Sequence, residues 1–434
     1  MWGRGRATVK RRWLASAGVL ALIVAGLAVF VVAHKPGNVS HPDISFTAPT
    51  TATLTTPPRK PVVIDNFTWP LYGYLDTRTR DFEGAANLHP PLRVGWRFGG
   101  NALIEFPPVI YRHTLYFMDD GATAKAISGL SGHQFWATHL GTLSAASPAL
   151  DIRRQLLFVP VLSDHNTDQV PGDGSFDALS MRNGRVVWSV PLSSGSESSP
   201  LVSGDSVYFG DQAGTVYSLS AATGRVNWTY QASGAVKGGP ALVHGVLYFG
   251  DYAGRAYALN AGTGHQLWAV GTNGTAFGFG SGNFYASPAV AFGRVYMGNT
   301  DGFVYSFAAD TGQLAWSIST GAYVYASASV ADLPGLGPTV YVGSYSGEFY
   351  AFNAQSGAVR WSYAAGGRIS GSSTVVDGVV YYSDLGSRTT TGLDARSGRV
   401  VFTFPDGAFT PVIADPHTIF LSGYDTLYEL LPAR

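Results

Sequence analysis

The chain has 434 residues, 54 of them glycine, with 13% aromatic and only 13% charged residues, against about a quarter charged in an ordinary soluble domain. It contains no cysteine, which excludes disulfides, thiolate metal sites, covalent c-type haem and N-terminal lipoprotein acylation. The 28 basic and 28 acidic residues balance, but six of the basic ones (Arg4, Arg6, Lys10, Arg11, Arg12, Lys35) and no acid lie in 1–35, so the rest holds 22 against 28. That acidic remainder argues against a nucleic-acid partner.

Residues 1–12 are a basic tail, and Trp13 to Ala33 is a 21-residue run without a charge, long enough to cross a hydrocarbon core of ~30 Å. The positive flank predicts a cytoplasmic tail and a cell-membrane, single-pass protein whose C-terminal domain is extracytoplasmic. Val31-Val-Ala33 carries the small residues of a signal-peptidase site, so a cleaved signal peptide is the competing reading. The run exceeds the roughly 7–15 apolar residues of a signal core, which favours an anchor. Residues 34–61 form a Pro/Thr/Ser tract with little to bury, expected as a semi-extended linker.

Residues 62–434 hold a repeat. Trp96, Trp136, Trp188, Trp228, Trp268, Trp316, Trp361 and Phe402 recur at intervals of 40 to 52 residues, and all but the first follow a glycine four positions earlier. A period near 42 means β-propeller blades or paired-helix repeats. The units consist of short Val-, Tyr-, Phe- and Ala-rich runs between Gly, Ser and Asp clusters, without helical periodicity, so they predict four-stranded blades. In 239–270 the runs Pro240–His244, Val246–Gly250 and Ala256–Asn260 precede the strand with Trp268. The large indole suits the apolar layer between blades, and the glycine suits a tight turn.

The last unit offers only three runs (410–414, 418–422, 427–431), whereas Leu92 to Phe98, carrying Trp96, is an orphan strand. If it completes the final blade, the fold is an all-β, eight-bladed propeller closed by N-terminal strand pairing, without exposed edges.

The Gly-x-x-x-Trp turns with their preceding strands, as in Val216 to Trp228 and Tyr350 to Trp361, resemble the repeat of the PQQ-like (quinoprotein-type) β-propellers, over about 92–434. Trp69-Pro-Leu-Tyr-Gly-Tyr-Leu-Asp76 is similar to the opening motif of the same proteins. The resemblance implies a superfamily that includes quinoprotein alcohol dehydrogenases and the non-catalytic assembly factor BamB, and a fold alone does not choose between them. The vicinal disulfide of many quinoprotein dehydrogenases is impossible here, so a BamB-like, non-catalytic branch is expected, with no cofactor and no metal.

Aligning the innermost strands on their proline-like position places Glu105, Glu197, Lys237, Tyr285 and Tyr325 at one channel mouth, with Arg368 two residues further out. The expectation is either a polar-aromatic pocket for a small ligand or a solvated funnel. Two long insertions point to the same face. One, 163–175, has Asp164, His165, Asp168 and Asp173 but no EF-hand spacing, and reads as an acidic loop rather than a metal site. The other, 271–285, presents Phe277, Phe279 and Phe284 as a protein-docking lip or a lid. No catalytic motif appears. The expected function is an envelope-assembly or protein-interaction scaffold without catalysis; a PQQ- or sugar-binding protein, possibly an oxidoreductase, is the alternative.

Overall fold

The computed structural model describes residues 24, 37–49, 67–84, 88–100, 102–163, 174–272 and 282–433. The expected span 13–33 lies outside them but for Val24; among the described residues no helix is long and apolar enough to cross a membrane. Residues 1–38 and 39–434 form separate units, and the second contains the fold.

Eight antiparallel sheets, each with a four-stranded core, carry the second unit. Blade 4 shows the pattern: Ala241–Val243, Val246–Gly250, Arg255–Asn260 and Gln266–Gly271 run from the axis outward. Its two middle strands are buried, whereas the outermost alternates towards solvent. A bulge opposite Ala258/Leu259 sets Trp268 against Ala258 and leaves Leu267 half exposed. The eighth blade is closed as expected. β4 (Leu92–Gly99) pairs antiparallel with Thr426–Pro432 at the chain's other end.

The tryptophan–glycine repeat joins neighbouring blades. Trp228 of blade 3 donates its indole N–H to Ala261 O of blade 4 at 3.0 Å. A Cβ on Gly264 would sit 2.7 Å from the same ring, and Gly264 has φ +71°. Each glycine therefore makes room for the tryptophan of the preceding blade as well as turning the chain. The same pairing recurs from Trp96–Gly132 to Trp361–Gly398. The exception is the blade 7–blade 8 interface, where Phe402 replaces tryptophan and packs in the same apolar cluster as Leu92 and Val94.

Three further strands precede β4. β1 (Val39–Ser40) adds to the outer edge of blade 5, β2 (Thr68–Trp69) to the inner edge of blade 1, and β3 (Asp81–Phe82) runs parallel on the inner edge of blade 7. The linker expected over 34–61 is thus packed in part. Arg294 is fully buried and donates to Ser45 O (2.6 Å) and to Ile44 O, and Phe46 packs at a tilt against Phe292. These contacts satisfy the guanidinium and cover Trp316, which is fully buried.

Residues 67–84 belt the axis. Carbonyls of Pro70, Asp76, Thr77, Thr79 and Arg80 accept N–H groups from Leu150, Leu242, Val290, Val330 and Val375, on the innermost strands of blades 2, 4, 5, 6 and 7. Each of these contacts falls five residues beyond the mouth position of its strand. The belt supplies partners for the inner-edge backbone groups and turns the channel into a cup.

Candidate functional site

The cup is lined by Glu105, Glu197, Lys237, Tyr285, Tyr325 and Ser370 at its mouth, with Ser199, Gly239, Ser287, Ser327, Ser372, Thr410 and the belt's Tyr72 below. Five of the six ligand candidates from the sequence therefore share one cavity. The sixth, Arg368, is exposed on the rim, its guanidinium 5.9 Å from the Tyr345 ring centroid.

The floor is knitted by hydroxyls. The N–H groups of Ser147, Gly239, Ser287, Ser327 and Ser372 donate to the side-chain oxygens of Ser199, Ser287, Ser327, Ser372 and Thr410 on the next blade. Gly239 interrupts the series because a Cβ there would meet Ser199 O at 2.4 Å and Arg78 Nη2 at 2.8 Å. Arg78, fully buried, donates to Pro240 O (2.6 Å), Tyr72 O (2.5 Å) and Ser199 O (2.8 Å). Burial, then repulsion from Arg80, lowers its pKa to about 9, so it stays charged at neutral pH. Arg80 lies 4.4 Å over the Tyr72 ring and donates from Nη1 to Arg78 O, while its Nε and Nη2 lack partners. Tyr72 in turn donates to Ser372 Oγ at 2.6 Å.

Charge is concentrated at the mouth. Lys237 Nζ lies 2.6 Å from Glu197 Oε1, which also accepts from Gln212 Nε2 at 2.8 Å. Tyr285 Oη donates to Glu197 Oε2 at 3.4 Å. Burial, with repulsion from Asp120 and Glu197 only partly offset by Lys237, raises Glu105 to about 8. Burial and neighbouring Asp119 raise Asp120 to about 7, against the backbone N–H of Glu105 that bonds it. Among the described residues no donor hydrogen-bonds the Glu105 carboxyl. This is a site that holds protons where an ordinary carboxylate would not.

A continuous aromatic arc runs over blades 4 to 6. Tyr252–Tyr285, Tyr285–Tyr325 and Tyr325–Tyr345 have centroids 6.2, 5.6 and 4.9 Å apart, and Tyr323, 54% exposed, closes on Tyr325 at 6.0 Å. Lys237 sits 5.1 Å over Tyr252 at one end and Arg368 over Tyr345 at the other. Sequence reasoning missed Asp120, Gln212, Tyr252 and Tyr345, which occupy the turn after each blade's second strand. For the last three the signal is the recurrent Gly-Asp/Ser-x of Gly210-Asp211-Gln212, Gly250-Asp251-Tyr252 and Gly343-Ser344-Tyr345.

The docking lip needs correction. Phe277 and Phe279 lie outside the described residues, as does the acidic loop 164–173. Phe284 is fully buried against Tyr305 and Phe307, because the glycine at 250 leaves the space its ring fills. It packs the interface of blades 4 and 5 and is no docking surface.

A PQQ-type family model, described as outer membrane protein assembly factor BamB, matches residues 172–335 and 324–421. No curated protein matches the chain in sequence. Among solved structures, BamB from Moraxella catarrhalis superposes with TM-score 0.62 at 17% identity, over 79% of this chain and 98% of that one. Quinohemoprotein alcohol dehydrogenase from Comamonas testosteroni gives 0.68 at 13%, over 85% and 81%. The computationally designed Ika8 protein gives 0.62 at 15%, over 77% and 98%. One fold serves all three, so the likeness establishes architecture alone.

The cup does not suit the quinone after which the repeat is named. Pyrroloquinoline quinone is a rigid tricarboxylate, and the one cation lining the cup among the described residues, Lys237, is already paired with Glu197 while Glu105 adds a further carboxyl. The enclosed space is about 40 Å³, room for roughly three waters.

Proposed function

We propose that this chain, which belongs to the PQQ-like β-propeller family, is a protein-interaction scaffold that meets its partner at the axial mouth and performs no chemistry of its own. The single observation that carries this reading is the tyrosine arc with Lys237 and Arg368 at its ends, because Tyr and Arg on a partly exposed rim are the residue types that dominate binding hot spots. The match to an assembly-factor model over more than half of the chain supports the same reading. On this proposal residues 13–33 anchor the propeller outside the membrane, as a cell-envelope component.

The test is site-specific photocrosslinking in intact membranes. A photoreactive residue at Tyr323 is expected to capture one protein, and Tyr345→Ala with Arg368→Ala to abolish that capture. A probe at Phe135, on the outer edge of blade 1, should capture none of it. Equal labelling from both positions, or none from Tyr323, overturns the reading. A sugar-binding alternative rests on the same ring faces, and competition of the crosslink by free aldoses would favour it.

A further inference from the structure

Charge, aromatic surface and size at the mouth converge on one chemical group. Glu105 feels Asp120 and Glu197 as like charges, and the one ammonium that offsets them among the described residues, Lys237, is committed to Glu197 at 2.6 Å. Glu197 is further occupied by Gln212 and Tyr285. Glu105, across the small Ala145 of blade 2, is left with repulsion from two carboxyls and no hydrogen-bond donor among the described residues. A half-buried carboxyl so placed is stabilised by any cation that reaches it.

The arc shows how a cation is held here. Its outer rings already carry one each, Lys237 over Tyr252 and Arg368 over Tyr345, while among the described residues its middle rings, Tyr285 and Tyr325, carry none. Burial, then the neighbouring carboxylate of Glu197, keeps the Tyr285 phenol well above the usual range and therefore neutral. A neutral ring beside a carboxyl is the standard receptor for an ammonium. The enclosed space of about 40 Å³ admits a head group and a narrow stem, not a bulky molecule. Whatever carries the head group must remain outside, on the rim formed by Tyr323, Tyr345 and Arg368.

We propose that the mouth takes up a lysine side chain of the protein partner, its ammonium seated between Glu105 and the rings of Tyr285 and Tyr325, in a second copy of the arrangement that Lys237 makes with Glu197 and Tyr252. This rests on the scaffold reading above and names what the partner presents. A free alkylamine shares the chemistry and is the other source to be distinguished.

The test is calorimetric titration of the full-length protein in detergent with three probes: the blocked tripeptide Ala-Lys-Ala, the same peptide acetylated on the lysine, and n-butylamine. The unmodified peptide is expected to bind saturably and the acetylated one not at all, with n-butylamine weaker than the peptide. Glu105→Gln should weaken the peptide about tenfold or more, the scale of one charged hydrogen bond. That variant removes repulsion from Asp120 and Glu197, so its folding is secure and is checked by its Tm. Because Glu105 carries a proton at neutral pH, binding should release protons, seen as a buffer-dependent heat in wild type and lost in Glu105→Gln. Tyr323→Ala should weaken the peptide but not the amine.

Equal affinity for peptide and butylamine assigns the site to a small amine and overturns the lysine. No binding, or indifference to acetylation, overturns the inference altogether. Crosslinks from Tyr323 that persist in that case leave the scaffold reading standing; their absence removes that reading independently.

Discussion

Gly264 lies against the face of Trp228 so closely that a single added carbon would stand 2.7 Å from the ring. The two residues belong to different blades, so the repeated pair is a joint. Gly264→Ala meets both the clash and a left-handed backbone. We expect it to destabilise the propeller by about 2–4 kcal/mol, measured as a lowered urea midpoint, whereas Gly321→Ala, with φ +82° but nothing within 4 Å of its Cβ, should cost only about 1 kcal/mol.

The joint between blades 7 and 8 predicts the opposite preference. No turn glycine faces Phe402, because position 92, four before Trp96, is a leucine at the start of a strand. Phe402→Trp restores the repeat's commonest residue yet should destabilise by about 1–3 kcal/mol through overpacking against Leu92, Val94 and Phe404. A gain in thermal stability would show that the interface has room for an indole.

Stability should fall as pH rises towards 8. Glu105 and Asp120 titrate near 8 and 7 in the folded protein and near 4 in the unfolded chain, so the folded state holds more protons across that window. The linkage slope is therefore negative from about pH 4 to 8 and flattens above it. Urea midpoints at pH 5, 7 and 9 measure it, and Glu105→Gln should remove the upper part of the decline.

The two buried arginines of the belt should differ sharply. Arg78 binds carbonyls of Pro240, Tyr72 and Ser199, so Arg78→Met leaves buried acceptors unpaired and should cost about 3 kcal/mol or more. Among the described residues, Arg80 leaves two of its nitrogens, Nε and Nη2, without a hydrogen-bond partner. Replacing such a charge by an apolar side chain of similar length is often neutral, so Arg80→Met should shift the urea midpoint far less.

The fold was legible because its signals are local and repeated. The spacing of the tryptophans counted the blades, and the orphan strand at Trp96 located the closure. The mouth residues followed from register alone, since one aligned proline fixes which side chains face the axis. What register could not reveal came from segments outside the repeat. Arg78, Arg80 and Tyr72 enter the axis from the belt, and Ile44 and Phe46 cover blade 5 from a tract whose composition reads as a linker. Phe284 misled because its glycine-rich neighbourhood suggests a surface loop, while the space that buries it is made by Gly250, more than thirty residues earlier.

The pairing of β4 with the last strand imposes an order on biosynthesis. Leu92 emerges roughly 340 residues before its partner Pro432, which at ribosomal speeds of about 5–20 residues per second is a delay of roughly 20–70 s. Throughout that interval the nascent chain carries a strand with an unsatisfied edge, together with a belt whose donor strands on blades 2, 4, 5, 6 and 7 are still being made. The protein must therefore keep its earliest ordered segments from wrong partners until its last strand arrives, a task suited to a holding chaperone at the site of synthesis.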